Sequence, residues 1–199
     1  LDYLDFTMGI YPMDVDIETR DIVIVETMFE NTEKHVQLQP YSARSIDCMF
    51  ELESIVQGGC EEAKRRPLLS FLISCTAPLR FDEINLEMML TAAKYAIPIM
   101  MNSTPIAGAT GPVTLAGSVA LMIAEFLAAY TITQIAYPGT PMVCEQRPYA
   151  FEMQQGNSAF GAVETGMMDA VAVQVIQQCY GFLTDCFGPQ NESKLVDIQ

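Results

Sequence analysis

The chain has 199 residues, half of them hydrophobic, and its 25 acidic and 10 basic residues give a formal net charge of −15. That length is enough for one substantial core. The sequence lacks a stripe of Lys and Arg that would neutralise phosphates, which argues against a nucleic-acid partner. Charged residues make up only 18% of the chain, against roughly a quarter in typical soluble domains. We therefore expect part of the surface to be covered by further chain or by another subunit, as in a homo-oligomer.

The sequence argues against a membrane span, a secretion signal and a bound metal. The most apolar segment, residues 113–135, is interrupted by Glu125 and by several Ser, Thr and Gln residues. The first residues, LDYLDFTMGIY, lack the features of a signal peptide and read like the interior of a longer polypeptide. The six cysteines show no metal-ligand spacing and there is a single histidine. These features predict a cytoplasmic protein with free thiols and no metal of its own.

Apolar runs alternate with helical patterns along the whole chain. Apolar runs typical of strands cover residues 3–8, 35–39, 68–75, 97–101, 141–145 and 182–187. Helical patterns cover residues 16–31, a stretch from a cap at Ser42 or Ser45 to Gly58-Gly59, a short turn at 61–66, and residues 82–95, 113–135 and 159–180.

This alternation predicts a parallel sheet with right-handed crossovers. Two architectures fit the spacing of the units: an open doubly wound sheet and part of a closed (β/α)8 TIM barrel. No GxGxxG motif follows the first strand, which weakens a dinucleotide-binding interpretation. About six strands are predicted rather than eight, so a barrel requires this chain to be part of a longer one.

The segment from Met101 to Gly139 contains the most informative pattern. An apolar run leads into a loop with Ser103, Thr104 and two glycines, and a long helical segment follows. A strand, a polar glycine loop and a helix N-terminus together form the arrangement with which α/β enzymes present backbone N–H groups to a ligand.

The amino-acid sequence of this segment also contains specific motifs. It reads GATGPVTLAG, continues into Ala-Glu-Phe-Leu-Ala and closes with Pro-Gly-x-Pro, while TAPL precedes it and ESKLVDIQ ends the chain. Together these motifs resemble the trimethylamine methyltransferase family of corrinoid-dependent enzymes. The resemblance implies a TIM-barrel fold, with residues 1–199 as a single domain and an internal fragment of a longer α/β barrel.

The resemblance also implies a reaction. A methyl group would pass from a small methylated amine, tertiary or quaternary, such as trimethylamine or glycine betaine, to the cobalt of a corrinoid (cobalamin) carried on a partner protein. The chain contains only standard residues. If the position of pyrrolysine lies within these residues, the closer comparison is the branch of the family without pyrrolysine, whose members use quaternary amines such as glycine betaine. The protein's part in such a reaction is mainly to position the two reactants.

In a barrel of this type, ligands bind at the carboxyl ends of the strands. We therefore expect a substrate site formed by Asn102, Thr104, Glu145, Arg147 and Tyr149. Catalytic residues cannot be assigned from the sequence.

The loop after the fourth strand is expected to contact the corrinoid through Gly108, Thr110 and Gly111. The alternative for the two glycines is that they only satisfy the backbone of a tight turn.

Two further residues also have competing interpretations. Arg147 could hold the carboxylate of a betaine or form a local ion pair with Glu145 or Glu152. Glu125, in the most apolar helix, is better explained as a buried carboxylate that accepts neighbouring donors than as a catalytic acid.

The sequence departs from the family at residues 152–156, which read EMQQG where many members have an acidic-Met-Arg-Thr-Gly stretch. The missing arginine leaves the substrate subclass open. Two other functions also stay open: a different TIM-barrel transferase or lyase that binds an anionic ligand at Gly108–Gly111, and a non-catalytic barrel that serves as a binding subunit.

Overall fold

A computed structural model describes residues 6–186. Its main sheet contains six strands: β1 (Phe6–Met8), β2 (His35–Leu38), β3 (Leu69–Ser74), β4 (Ile99–Ser103), β6 (Met142–Gln146) and β9 (Thr184–Cys186). Three shorter strands, β5 (Ile106–Ala107), β7 (Tyr149–Glu152) and β8 (Asn157–Ala159), form a second sheet. The helices are α1 (Arg20–Asn31), α2 (Ala43–Gln57), α3 (Cys60–Arg65), α4 (Glu83–Lys94), α5 (Leu115–Ala136) and α6 (Val163–Val175), and a π-helical turn, Ile176–Tyr180, extends α6.

The main sheet is parallel, with strand order β1-β2-β3-β4-β6-β9. Its register pairs Val36 with Leu69 and Cys144 with Thr184. The predicted α/β partial barrel is therefore confirmed. Strands β3 and β4 are buried along nearly their whole length, as expected of a parallel sheet with helices packed on it. The predicted strand at residues 3–8, the one at 182–187 and the ESKLVDIQ motif lie partly or wholly outside the described residues.

Local sequence signals fix several helix ends. Ser42 caps α2: its hydroxyl accepts from the Ser45 N–H, and the Ser45 hydroxyl accepts from the Ser42 N–H in return. This reciprocal arrangement satisfies two donors that would otherwise lack partners. Gly58 ends the same helix with φ 79°, in the left-handed region that glycine adopts without strain.

The second sheet was not predicted. Its β5 pairs with β7 in parallel, and β7 pairs with β8 antiparallel. Strands of two to four residues are too short to show a two-residue period, so the apolar pattern missed them. The β7–β8 hairpin is inserted between β6 and α6, which is why α6 begins at Val163 rather than near the predicted residue 159.

The described chain divides into two compact units. The first comprises the chain up to Ile73 together with Glu83–Met100 and Ile132–Met142. The second comprises Ser74–Asp82, Met101–Thr131 and the chain from Val143 onward. The second unit thus contains the carboxyl ends of β3, β4 and β6, where the sequence placed the substrate site.

Within the described residues, helix α5 alone is long and apolar enough to cross a bilayer, by length and composition. Core helices of soluble proteins can have the same length and apolar composition. Met122 and Phe126, in the middle of this helix, are fully buried. Glu125, in the middle of α5, is also buried, and its carboxylate accepts hydrogen bonds from protein groups.

A buried carboxylate on α2 supports the start of β3 in the first unit. Oε1 of Glu53 accepts hydrogen bonds from the Leu68 backbone N–H and from Nε2 of Gln57, the latter at 3.2 Å. Oε2 is buried without a partner. Burial is the main cause that raises the Glu53 pKa from 4.5 to about 7, because the charged form loses its hydration.

This geometry predicts a pH-dependent stability. The folded pKa of Glu53 is higher than the unfolded value, so between pH 4.5 and about 7 the folded state keeps a proton that the unfolded state releases. The free energy of unfolding should therefore fall as pH rises through that window. Glu53→Gln keeps an acceptor for Leu68 and cannot ionise. At pH 8 it should be more stable than the wild type by roughly 3 kcal/mol at most.

Urea unfolding at pH 4.5 and pH 8 measures how the free energy of unfolding changes with pH in the wild type and in Glu53→Gln. Glu61→Gln is the matched control, because the Glu61 side chain is 94% exposed and its replacement should leave the pH slope unchanged. An equal slope for wild type and Glu53→Gln would contradict the prediction.

Candidate active site

Four polar residues lie side by side at the carboxyl ends of β3, β4, β6 and β9. Backbone hydrogen bonds from Cys75 N to Asn102 O and from Arg147 N to Ser103 O place Ser74 beside Asn102 and Asn102 beside Glu145. The β6–β9 register then places Glu145 beside Asp185. Neighbouring residues of adjacent strands point to the same face of a sheet. We call this set, Ser74, Asn102, Glu145 and Asp185, the polar row.

The opposite face of the same strand ends is organised by Glu125 of α5. Cys75 Sγ lies 3.2 Å from its Oε2, and the Ser103 hydroxyl donates to the same oxygen. The Leu79 backbone N–H donates to Oε1 at 2.7 Å. The prediction that Glu125 accepts neighbouring donors is confirmed. Burial, followed by the nearby Glu125 charge, raises the pKa of the Cys75 thiol to about 12, so this cysteine is not a thiolate nucleophile at neutral pH.

Within the polar row, Asn102 and Glu145 are buried and only partly satisfied. Asn102 is 6% exposed; its Nδ2 donates to Ser74 Oγ at 3.2 Å, and its Oδ1 has no partner. Glu145 is fully buried, and its Oε2 has no partner. A buried acceptor without a partner is costly, so both atoms are positions where a ligand could bind.

Arg147 forms an ion pair with Glu145. Its Nε and Nη2 donate to Glu145 Oε1 at 2.9 and 2.6 Å. Of the two roles considered for Arg147, the local ion pair is thus present in the structure. Burial raises the Glu145 pKa, the Arg147 charge opposes that rise, and Asp185 adds to it.

Tyr149 lies in β7, close to these charges. Its ring packs edge-on against Phe160, with 4.6 Å between the ring centroids, and its N–H donates to Pro105 O. Burial raises the Tyr149 pKa; Arg147 lowers it, and the Asp169 and Glu145 charges raise it further.

Three residues near the site were not predicted from the sequence: Asp185, Gln146 and Asp169. Gln146 is fully buried with neither side-chain polar atom partnered. Asp169 is 9% exposed on α6, its Oδ1 has no partner, and burial raises its pKa to about 6. An isolated carboxylate within the apolar run GMMDAVAV was the available signal for Asp169. The sequence gave no such signal for Asp185 and Gln146, because the sequence of one strand does not show which strands lie beside it.

The loop after β4 is closed by its own hydrogen bonds. The Ile106 N–H donates to the Thr110 hydroxyl at 3.0 Å, and Gly108 N and Gly111 N donate to Gly111 O and Ile106 O. Gly108 has φ 93°, and a Cβ on Gly111 would lie 2.9 Å from Ser118 Oγ. The backbone of the turn therefore favours glycine at position 108, and packing against Ser118 and Pro105 favours it at position 111. Thr104, half-buried, directly follows β4, and a ligand role for this loop stays a prediction.

Among the described residues, no group of three or more His, Cys, Asp or Glu side chains is arranged to hold a metal ion.

We expect Glu125 to be essential for the stability of the strand ends. Glu125→Ala would leave the Leu79 and Ser103 donors without their acceptor and should lower the free energy of unfolding by about 3 kcal/mol or more. Glu125→Gln keeps one acceptor oxygen and should lose less. Chemical denaturation measures both, with the exposed Glu164→Ala as a control expected within about 0.5 kcal/mol of the wild type. Full stability of Glu125→Ala would refute this role.

Two glycines provide a matched test of packing in this unit. Gly111→Ala would place a Cβ 2.9 Å from Ser118 Oγ and 3.2 Å from Pro105 Cβ, and the overpacking should cost about 1–3 kcal/mol. Gly166, within α6, has no atom within 4 Å of an added Cβ. Gly166→Ala should therefore raise stability by about 0.5–1 kcal/mol. Thermal melts of both variants measure the effect: the melting temperature should fall for Gly111→Ala and rise for Gly166→Ala. A Gly111→Ala protein as stable as Gly166→Ala would contradict the packing argument.

A family profile described as trimethylamine methyltransferase (MTTB) matches residues 4–199. Glycine betaine methyltransferase of Desulfitobacterium hafniense strain Y51 is 28% identical over 94% of this chain and 39% of the relative. Trimethylamine methyltransferase MttB of D. hafniense strain DCB-2 is 28% identical over 100% of this chain and 40% of the relative. For MttB1 of Methanosarcina acetivorans the identity is 27%, over 90% and 36%.

The chain thus spans about two fifths of the length of these relatives. The match to the family profile nevertheless takes in all but the first three residues, and it includes every strand of the polar row and the loop after β4. The resemblance seen in the motifs is confirmed. The chain belongs to the trimethylamine methyltransferase family.

Proposed function

We propose that the protein removes a methyl group from a small methylated amine and passes it to the cobalt of a corrinoid carried on a partner protein. Relatives that match nearly the whole chain are named as methyltransferases of trimethylamine and of glycine betaine. That agreement supports methyl transfer from a methylated nitrogen. The corrinoid acceptor is the more specific part of the proposal, and it is what the family resemblance of the motifs implies.

The observation that carries the proposal is the buried Glu145 carboxylate at the carboxyl end of β6. Its Oε1 is neutralised by Arg147, and its Oε2 has no partner. With Asp185 beside it, the local charge is negative. A methylated amine in its reactive, cationic form complements that charge, and strand carboxyl ends are where barrels of this kind bind their ligands.

The chemistry explains why a positively charged nitrogen is needed. A methyl group leaves nitrogen readily only when the departing product is a neutral amine. The site then has to bind the cation, exclude water and hold the methyl carbon toward its acceptor. A corrinoid, when bound, would supply the nucleophile. We propose that Asn102, Thr104, Glu145, Arg147 and Tyr149 contact the amine, and that Gly108, Thr110 and Gly111 contact the corrinoid protein.

The hydrogen bonds of the loop bear on the alternative enzyme function. An anion at Gly108–Gly111 would need free backbone N–H groups. Those of Ile106, Gly108, Ala109 and Gly111 already donate within the turn. An anion would have to displace these bonds, which favours the amine methyltransferase over an anion-binding transferase or lyase.

We further propose that these residues form part of one barrel domain longer than this chain, and that the protein is a cytoplasmic homo-oligomer. The length of the relatives supports the first point, and the low share of charged residues supports a covered surface.

The assay uses the natural full-length polypeptide, reduced cobalamin and a panel of methylated amines, and follows the absorption spectrum of methylcobalamin. We expect methylcobalamin with at least one amine. Its absence with every amine would overturn the proposed function and favour an enzyme of another class or a binding subunit.

Glu145→Gln should lower the rate of methyl transfer on the order of ten-fold to a hundred-fold, because it removes a charge-assisted contact with the cation. The substituted amide can still accept from Arg147, so the fold should be retained, which circular dichroism checks. Glu164→Gln, on the exposed start of α6, changes the net charge by the same amount and should keep the wild-type rate. Equal rates for both variants would remove Glu145 from the site.

A further inference from the structure

A small cavity lies between the end of β2 and the start of α1, within the first compact unit. Its volume is about 220 Å³, and the residues that line it include Tyr11, Ile17, Arg20, Asp21 and Gln39. One water takes up only about 30 Å³ in the liquid, whereas pockets for drug-sized ligands measure roughly 300–1,000 Å³. The cavity therefore suits a small ligand.

Hydrogen bonds to the main chain hold one wall of this cavity in place. The Tyr11 hydroxyl accepts from the Gln39 N–H at 2.8 Å and donates to the Gln39 carbonyl oxygen at 2.5 Å. Tyr11 belongs to the loop after β1, and Gln39 directly follows β2. The loop is thus fixed against the end of β2, where both residues line the cavity.

Arg20 contributes an unsatisfied donor to the cavity. Its Nη2 donates to the Val15 carbonyl oxygen at 3.0 Å, but its buried Nε has no partner. Arg20 is the only basic residue before Lys34, in a segment rich in Asp and Glu. Its guanidinium nevertheless forms no ion pair with any carboxylate of residues 6–186. A buried charged donor without a partner is costly, so the cavity favours a ligand with negatively charged acceptors.

The position of Arg20 in α1 adds to this preference. Arg20 is the first residue of the helix, where the helix dipole disfavours a cation. The Thr19 side chain makes no capping hydrogen bond, and the first N–H groups of a helix have no partner within it. The guanidinium and the helix N-terminus thus present positive charge together, an arrangement that binds oxyanions.

Asp21 gives the same cavity an acceptor. Its side chain is buried, and its Oδ2 accepts from the Tyr41 N–H and from the Ser45 hydroxyl, both at 2.7 Å. Both of its described hydrogen bonds go to this one oxygen, which leaves Oδ1 for a ligand. A carboxylate repels an oxyanion unless the oxyanion brings a hydrogen to share.

We propose that this cavity binds phosphate in a form that still carries an O–H, with its charged oxygens on Arg20 and the start of α1 and its O–H on Asp21. Inorganic phosphate keeps at least one O–H at neutral pH. Sulfate has the same tetrahedral shape but no hydrogen, and a simple carboxylate has none either. The inference goes beyond the proposed function, because it involves neither the amine nor the methyl acceptor.

Phosphate and sulfate are a matched pair of ligands for the test. Calorimetric titration of the natural full-length protein, in phosphate-free buffer at pH 7 and constant ionic strength, should show saturable binding of inorganic phosphate. The dissociation constant of sulfate should be on the order of ten-fold to a hundred-fold higher, because it lacks the hydrogen bond to Asp21. Glycerol phosphate, titrated in parallel, distinguishes a site for phosphate esters from one that takes free phosphate alone.

Two different variants test the location of the site. Arg20→Gln removes the guanidinium, and Ile17→Trp enlarges a lining side chain that is 43% exposed without changing the charge. Each should raise the dissociation constant of phosphate on the order of ten-fold or more. Circular dichroism checks the fold, and Arg66→Gln, which removes an equal charge from an exposed position, should bind phosphate like the wild type.

Asp21→Asn tests the selection of phosphate over sulfate. The amide oxygen can still accept from Tyr41 and Ser45, while the repulsion of sulfate is removed. The ratio between the two dissociation constants should therefore fall toward one.

Four outcomes would overturn the phosphate site. They are no saturable phosphate binding, equal affinity for sulfate, an unchanged ratio in Asp21→Asn, and wild-type affinity in both Arg20→Gln and Ile17→Trp. Loss of binding in Arg44→Gln but not in Arg20→Gln would also overturn it, because Arg44 lines a neighbouring cavity with Tyr41. Phosphate binding with the expected selectivity but no methylcobalamin from any amine would overturn the proposed function and support the phosphate site.

Discussion

The buried carboxylate of Glu125 fixes separate pieces of backbone at once, and the candidate site depends on that arrangement. One oxygen accepts the N–H of Leu79 in the turn after β3, and the other accepts the Ser103 hydroxyl at the end of β4 and lies near the Cys75 thiol. A carboxylate is suited to this task because it offers several lone pairs and stays satisfied in an apolar helix. Its three contacts determine which face of the strand ends is turned toward α5.

The composition of the opposite face follows from strand alternation. Since Cys75 and Ser103 point toward Glu125, their neighbours Ser74 and Asn102 point the other way, where Glu145 and Asp185 continue the line. On one side of these strand ends the Glu125 carboxylate is satisfied by its three contacts, although Gln146, which points to the same side, has no partner for either side-chain polar atom. The other side retains unpartnered acceptors and a carboxylate held by a single arginine. Incompletely satisfied polar groups at the carboxyl ends of parallel strands indicate a ligand site.

The loop after β4 shows how a motif can be specific to a family and still have a structural cause. Gly108 adopts a positive φ and Gly111 is packed against Ser118, so local backbone and packing give each glycine a structural cause. The N–H groups of Ile106, Gly108, Ala109 and Gly111 are used inside the turn. The residue of this segment with an unpartnered polar atom is Asn102, at the end of the strand before the loop. It is therefore better placed to bind a ligand than the glycines that carry the resemblance.

The sequence by itself determined the parallel α/β alternation, the end of α2 at Gly58, the family and the strand-end positions of Asn102 and Glu145, because these depend on local periodicity, capping chemistry and specific motifs. It left the cap of α2 open between Ser42 and Ser45, and the folded chain assigns it to Ser42. It did not determine the β5-β7-β8 sheet, whose strands are too short to show a period. Nor did it predict that Asp169 and Asp185 lie near the site, or which residue pairs with Arg147. Those features depend on strand register and on which helix packs above which strand end, and such pairings between residues distant in sequence exist only in the folded chain.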